Sequence, residues 1–366
     1  MTHIPRTLAV GLVLSVLSTA VIAQEIGWTD IRTLGVEGRG FEKTKSYFDR
    51  LPASAEKLVR PPVWSLSQDS AGMSVRFVTS ATTLHARWTL RRARLALPHM
   101  AATGVSGIDL YVRDGKGRWR WLACGFPTRT PTNSVRLVTG IPAGSREYML
   151  YLPLYNGVTS VELGVPEGKT IDKAPSRPRT HARPILFYGT SITHGACASR
   201  PGMTHPAMLG RRYKRPVINL GFSGNGRMEI ELAELLAQLD PAVYVLDCLP
   251  NMRAAEVSKR VGPFVRRLRK TRPGTPIVLV EDRSYADSFL VTSKKERNDS
   301  SRKALTEEYQ KLQRDGVAGL HYLPGADLLG DDGEGTVDSS HPNDLGFMRQ
   351  AAAFAKVLGP LLESSK

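Results

Sequence analysis

Pro184-Ile185-Leu186-Phe187-Tyr188-Gly189-Thr190-Ser191-Ile192-Thr193-His194-Gly195 decides the fold. Four large apolar residues stand in a row, followed by a glycine and small hydroxylated residues. A run that is apolar at consecutive positions belongs to a strand covered on both faces. Gly189 permits a tight turn, and the segment behind it can open a helix. Similar apolar runs occupy 217–220, 243–247, 277–280 and 320–323. Helix-like stretches lie at about 227–239, 254–270, 296–315 and 345–358. Buried strands alternating with amphipathic helices predict a parallel sheet with helices on both faces, an α/β/α unit over 181–366. Ligands in such sheets sit beyond the carboxyl ends of the strands, where Ser191 falls.

Upstream, the rhythm changes. Runs at 73–78, 84–90, 107–112, 119–122, 147–152 and 158–163 are short and largely alternating, and Asp114-Gly115 is a hairpin signal between two of them. This pattern predicts an all-β, jelly-roll-like sandwich within 24–180. Residues 24–44 read as an irregular arm, and the Gly-, Pro- and Arg-rich residues 164–183 as a linker. Residues 1–23 read as a signal peptide. Arg6 is the positive segment, 8–22 is an uncharged apolar stretch, and Val21-Ile22-Ala23 fits cleavage after Ala23. The competing reading is an uncleaved anchor, but the stretch is shorter than the roughly 20 residues that span a bilayer. The expectation is therefore a periplasmic or secreted protein without a membrane span.

Net charge is +16 over 366 residues. Residues 24–180 hold 23 Lys+Arg against 13 Asp+Glu, or +10 (23 − 13). A basic surface suits acidic polysaccharide or an anionic membrane face, but equally an Arg-rich soluble surface. No zinc-finger, RRM or helix-turn-helix pattern points to nucleic acid. Cys124, Cys197 and Cys248 do not have zinc-site spacing, and Gly-Lys-Ser/Thr of a nucleotide loop is absent. Cys197 and Cys248 pair if their loops border one cleft; otherwise they are inert buried thiols.

Four segments at strand ends can carry chemistry. Ser191 is either a nucleophile or a helix cap. Asp338-Ser-Ser-His341 places a carboxylate where it can orient an imidazole, in a loop just before the last helix; the plain alternative is a capping Asp and a surface His. Asn219-Leu-Gly221-Phe-Ser-Gly224-Asn225-Gly226 leaves backbone amides accessible to an oxyanion, or is an ordinary glycine turn. Asn251, in Asp247-Cys-Leu-Pro-Asn-Met, offers a side-chain amide for the same purpose, or a turn residue.

The order Ser, Gly, Asn, then Asp-x-x-His resembles the SGNH (GDSL-type) hydrolases. Gly107-Ile-Asp109-Leu-Tyr111 looks like the marker of a β-rich domain that precedes the hydrolase domain in one subgroup. Ala196-Cys197-Ala-Ser-Arg200-Pro-Gly202 and Asp344-Leu-Gly-Phe-Met also fit that subgroup. The resemblance implies a flavodoxin-like three-layer domain with Ser191 as nucleophile, His341 as base and acid, and Asp338 as orienter. It implies oxyanion donors from the Ser191 and Gly224 amides and the Asn251 side chain, with no metal or cofactor. The chain departs from the family pattern at Thr190, Ile192, Pro250 and Met252.

The expected activity is hydrolysis of short acyl esters, O-acetyl on carbohydrate foremost, with an acylated small molecule or oligosaccharide as substrate. His194, Arg200 and Arg227 are cleft candidates by position. Alternatives are a lipolytic esterase or thioesterase with the same three residues, a non-catalytic carbohydrate-binding protein, and a metal hydrolase using Asp338 and His341 as ligands. Trp88, Trp119 and Trp121 either stack on glycan or are scaffold.

Overall fold

The computed structural model describes residues 25–363. The signal-peptide reading of 1–23 lies outside them. Among the described residues ten strands come first: β1 (Ile26–Asp30), β2 (Val36–Glu37), β3 (Ser74–Thr79), β4 (Leu84–Leu90), β5 (Ile108–Arg113), β6 (Trp119–Gly125), β7 (Thr132–Val138), β8 (Arg146–Tyr151), β9 (Val158–Pro166) and β10 (Asp172–Lys173). A four-stranded sheet in the order β1-β9-β4-β7 and a second in the order β10-β3-β8-β5-β6, with β2 beside β3, form an antiparallel sandwich. Alternate residues face inward. In β4, Leu84, Ala86, Trp88 and Leu90 are buried while the residues between them are partly exposed. Their partners across the core include Val75, Phe77, Leu110 and Leu150.

Five parallel strands follow: β11 (Ile185–Gly189), β12 (Val217–Gly221), β13 (Val243–Asp247), β14 (Ile277–Val280) and β15 (Leu320–Leu323). Their order is β12-β11-β13-β14-β15, the flavodoxin-like 2-1-3-4-5 arrangement. The consecutive apolar run is explained by layers on both sides. Ile185 and Phe187 pack toward the helices His205–Tyr213 and Asp344–Glu363, with Leu209, Phe354 and Leu358. Leu186 and Tyr188 pack toward Ile230–Leu236 and Ala254–Thr271 on the opposite face.

That opposite layer also takes in chain from the other end of the molecule. Phe41, Leu51, Ala55, Val59, Val63 and Trp64 share its core with Leu220, Phe222 and Leu246. The segment expected to be a loose arm thus begins as an edge strand, with Ile26 opposite Pro166. The chain after it goes on to cover part of the parallel sheet. The expected linker is likewise engaged. β10 pairs with β3, and Arg177 bonds Glu37 at 2.6 and 2.9 Å and the Lys214 carbonyl at 2.6 Å. Among the described residues no helix is long and apolar enough to cross a membrane.

Candidate active site

Three adjacent strands, β12, β11 and β13, end level with one another. Gly189 of β11 is opposite both Gly221 of β12 and Asp247 of β13. Gly189 is required by proximity, since a Cβ there would lie 2.2 Å from Thr193 Oγ1 and 2.6 Å from the Asp247 carbonyl. The chain then turns into the one-turn helix Ser191–His194, capped by Thr190, whose Oγ1 accepts from the Ile192 amide at 3.3 Å. Ser191 is 6% exposed, so its hydroxyl is largely screened from bulk water.

His341 arrives from the loop before the helix Asp344–Glu363. Ser191 Oγ lies 2.7 Å from His341 Nε2, and His341 Nδ1 lies 2.7 Å from Asp338 Oδ2. Asp338 Oδ1 also accepts the His341 amide at 2.8 Å. A carboxylate on Nδ1 holds the proton there and leaves Nε2 as acceptor for the serine hydroxyl. Burial pushes the Asp338 carboxyl up, but the hydrogen bonds from the His341 amide and ring and the nearby imidazole charge outweigh it. The net result lies below the usual carboxylate value.

Gly224 sits at φ +68°, a left-handed conformation that glycine adopts without strain, in the loop after β12. Asn251, in the turn Leu249–Asn251 after β13, accepts the Gly226 amide on Oδ1 at 3.3 Å, which leaves the Nδ2 hydrogens for another acceptor. The Pro250 carbonyl beside it accepts from Arg297 at 2.6 Å. The structure thus places Ser191, Gly224 and Asn251 on loops from three adjacent strand ends, with His341 and Asp338 over the serine.

The other cleft candidates are placed differently. His194 is fully buried, stacked on Tyr155 at 4.1 Å between centroids, with Nε2 2.7 Å from the Leu154 carbonyl. Burial and then the Arg50 charge push its pKa well below the usual value. The ring is therefore neutral with the proton on Nε2, and Asp69 Oδ2 at 3.6 Å is a neighbour of an uncharged ring and not an ion-pair partner. Arg200 bonds Asp109 Oδ2 at 2.8 Å and Tyr111 at 2.6 Å. Asp109 also accepts from the Gly202 amide and from Trp121 Nε1. Arg200 therefore joins the two halves of the molecule. Arg227 folds back on its loop, with Nε donating to the Gly224 carbonyl at 3.1 Å.

Trp88 is in the sandwich core, its Nε1 bonded to the Ser106 carbonyl at 3.0 Å. Trp119 lies under Arg113. Trp121 is half exposed but bound to Asp109 and faced by Arg200. Cys197 and Cys248 do not pair; all three cysteines are free, and the buried Cys248 thiol points to the Tyr188 carbonyl.

Sequence reasoning missed the support beneath the serine. Asp247, fully buried at the end of β13, accepts Thr193 Oγ1 at 2.9 Å and is clamped by both terminal nitrogens of Arg283. Arg283 is held in turn by Gln350 of the last helix. A carboxylate closing an otherwise apolar strand was the available signal. Among the described residues no three His, Cys, Asp or Glu side chains converge so as to hold a metal ion.

A hydroxyl, an imidazole and a carboxylate thus stand in series at the carboxyl edge of a 2-1-3-4-5 parallel sheet. The chain is a member of the GDSL-like lipase/acylhydrolase family, whose model matches residues 182–359, and the model of the N-terminus of SGNH-hydrolase-type esterases matches residues 26–171. A crystal structure from Bacteroides ovatus, described as that of a GDSL-like lipase, is 33% identical, covers 93% of this chain and 98% of its own, and superposes with a TM-score of 0.87. The salicylyl-acyltransferase SsfX3 of a tetracycline biosynthetic pathway is 18% identical over 93% of this chain and 98% of its own, at a TM-score of 0.69. A family two carbohydrate esterase from Cellvibrio japonicus is 15% identical over 93% and 99%, at 0.60. The last two share the fold. No curated protein matches.

Proposed function

We propose that the chain is an exported serine esterase that removes short acyl groups, O-acetyl foremost, from carbohydrate through an acyl-enzyme. The observation that carries this reading is the series Ser191 Oγ, His341 Nε2, His341 Nδ1, Asp338 Oδ2, with 2.7 Å at each contact between residues. Ser191 Oγ attacks the ester carbonyl as its proton passes to His341 Nε2. The oxyanion is held by the Ser191 and Gly224 amides and by Asn251 Nδ2. Collapse breaks the bond to the alcohol, which takes the proton from Nε2. Water then gives a proton to Nε2 and attacks the acyl carbon, and Ser191 leaves with that proton as the acid is released. The carbohydrate assignment draws on an architecture shared with family two carbohydrate esterases, and export on the character of residues 1–23.

A fluorophosphonate probe is expected to form an adduct on the peptide containing Ser191. Ser191→Ala is expected to lose the adduct and at least about 10⁴-fold in kcat on aryl acetates. Full activity in that variant ends the reading. A lipolytic alternative has one observation behind it. Phe289 and Leu290 are 88% and 77% exposed on a loop whose Ala286 amide donates to the Ser339 carbonyl at 2.9 Å, two residues from His341. Aryl esters of increasing chain length separate the two, since acetyl preference supports the carbohydrate reading and a rise with chain length supports the lipolytic one.

A further inference from the structure

A second imidazole at the site comes from the sandwich half. His99 lies on the connection between β4 and β5. Its ring centroid is 5.8 Å from that of His341, at a 54° tilt, and its side chain is exposed. The connection is held firmly. Leu97 and Met100 exchange backbone hydrogen bonds of 3.0 Å. Met100 is buried with Ile192, Ala196, Ala198 and Phe347, from the segments that follow Ser191 and His341. Thr103 Oγ1 donates to the Ser199 carbonyl at 2.5 Å, and a Cβ on Gly104 would lie 2.2 Å from the Ala198 carbonyl. His99 is thus set by packing on both elements that carry the Ser191–His341 pair.

The path of the proton says which part of an ester His99 meets. His341 Nε2 delivers its proton to the departing alcohol, so that oxygen lies within hydrogen-bond reach of the His341 ring. The oxyanion donors belong to the ends of β11, β12 and β13. A side chain beside the His341 ring therefore borders the alcohol half of the ester. Imidazole carries both a donor and an acceptor nitrogen, which suits a second hydroxyl on that alcohol.

We propose that His99 is a specificity-determining residue of the leaving-group subsite, hydrogen-bonding a second hydroxyl of a polyhydroxylated alcohol. The sandwich half thereby selects the alcohol that the α/β half releases. This rests on the Ser191 reading above.

The test uses the full chain and two substrates: p-nitrophenyl acetate, whose leaving group has no neighbouring hydroxyl, and a mono-O-acetylated methyl glycoside. The readout is the ratio of kcat/KM for the glycoside to that for the aryl ester. His99→Ala is expected to lower this ratio about tenfold, the scale of one lost hydrogen bond to substrate. His99→Gln, which keeps a donor and an acceptor, is expected to restore part of it. An unchanged ratio in His99→Ala, with fluorophosphonate still labelling Ser191, overturns the His99 proposal alone. Failure of the wild-type protein to label at Ser191 overturns the nucleophile reading and this proposal with it.

Discussion

Asp338 and His341 are three residues apart, but spacing alone does not turn the two side chains toward each other. Ser339 does this by adopting φ +73°, a left-handed conformation uncommon for a residue with a Cβ. The reversal lets one carboxylate meet both the amide and the ring of His341. It is held from outside, by the Ala286 amide on the Ser339 carbonyl and by Lys294 Nζ on Ser339 Oγ at 2.8 Å. Asp338→Asn keeps the size of the side chain but removes the charge and the preferred tautomer. Its kcat is expected to fall about 10⁴-fold, with little change in the urea midpoint; steady-state kinetics and a urea melt check both. The sequence placed Ser191, Gly224, Asn251, Asp338 and His341 at strand ends or before a helix, and the structure has them there. His194 was misread because a one-turn helix gives no periodicity from which to tell its inner face. What turns His194 inward is Leu154 and Tyr155, some 40 residues away.

At the scale of elements, strands buried on both faces were the most legible. β13, β14 and β15 match the expected runs, and β11 and β12 extend them by one glycine each. β1 and β7 were not read as strands. β1 is five residues with a glycine, and β7, Thr132-Asn-Ser-Val-Arg-Leu-Val, does not alternate cleanly in its burial. Edge pairing satisfies their backbones where side-chain pattern gives little sign of it. The helix His205–Tyr213 was missed because it is short and carries Pro206 and Gly210. The ion pair of Arg283 with Asp247, buried on both sides, ties the ends of β13 and β14 to the last helix. Arg283→Met strands the carboxylate and is expected to cost about 3–5 kcal/mol. Replacing Asp247 by Leu in the same chain is expected to recover part of that. Urea unfolding of the two variants reads the difference.

Across the whole molecule, the two halves are joined by buried charge. Arg50 is fully buried and donates to the carbonyls of Leu66 and Asp69 on one side and of Asn219 and Gly221, at the end of β12, on the other. Beside it Asp69 is pushed up to about 6, by burial foremost and against the pull of Arg92 and Arg50. Its unfolded value is near 3.8, so between about pH 4 and 6 the folded protein binds more protons than the unfolded chain. Asp69 therefore removes stability as pH rises through that window. Asp69→Asn lacks this term, and its stability relative to wild type is expected to increase from pH 4 to 6; melts of both proteins at several pH values test the slope. Arg50 also links stretches far apart in the chain. Two of its hydrogen bonds meet carbonyls 169 and 171 positions further along, so while the chain is still being made the early half emerges with a guanidinium that has only the Leu66 and Asp69 carbonyls to grip. Contacts of such long range slow the search for the native state, and a polypeptide truncated ahead of β12 would leave that guanidinium without two of the carbonyls that receive it.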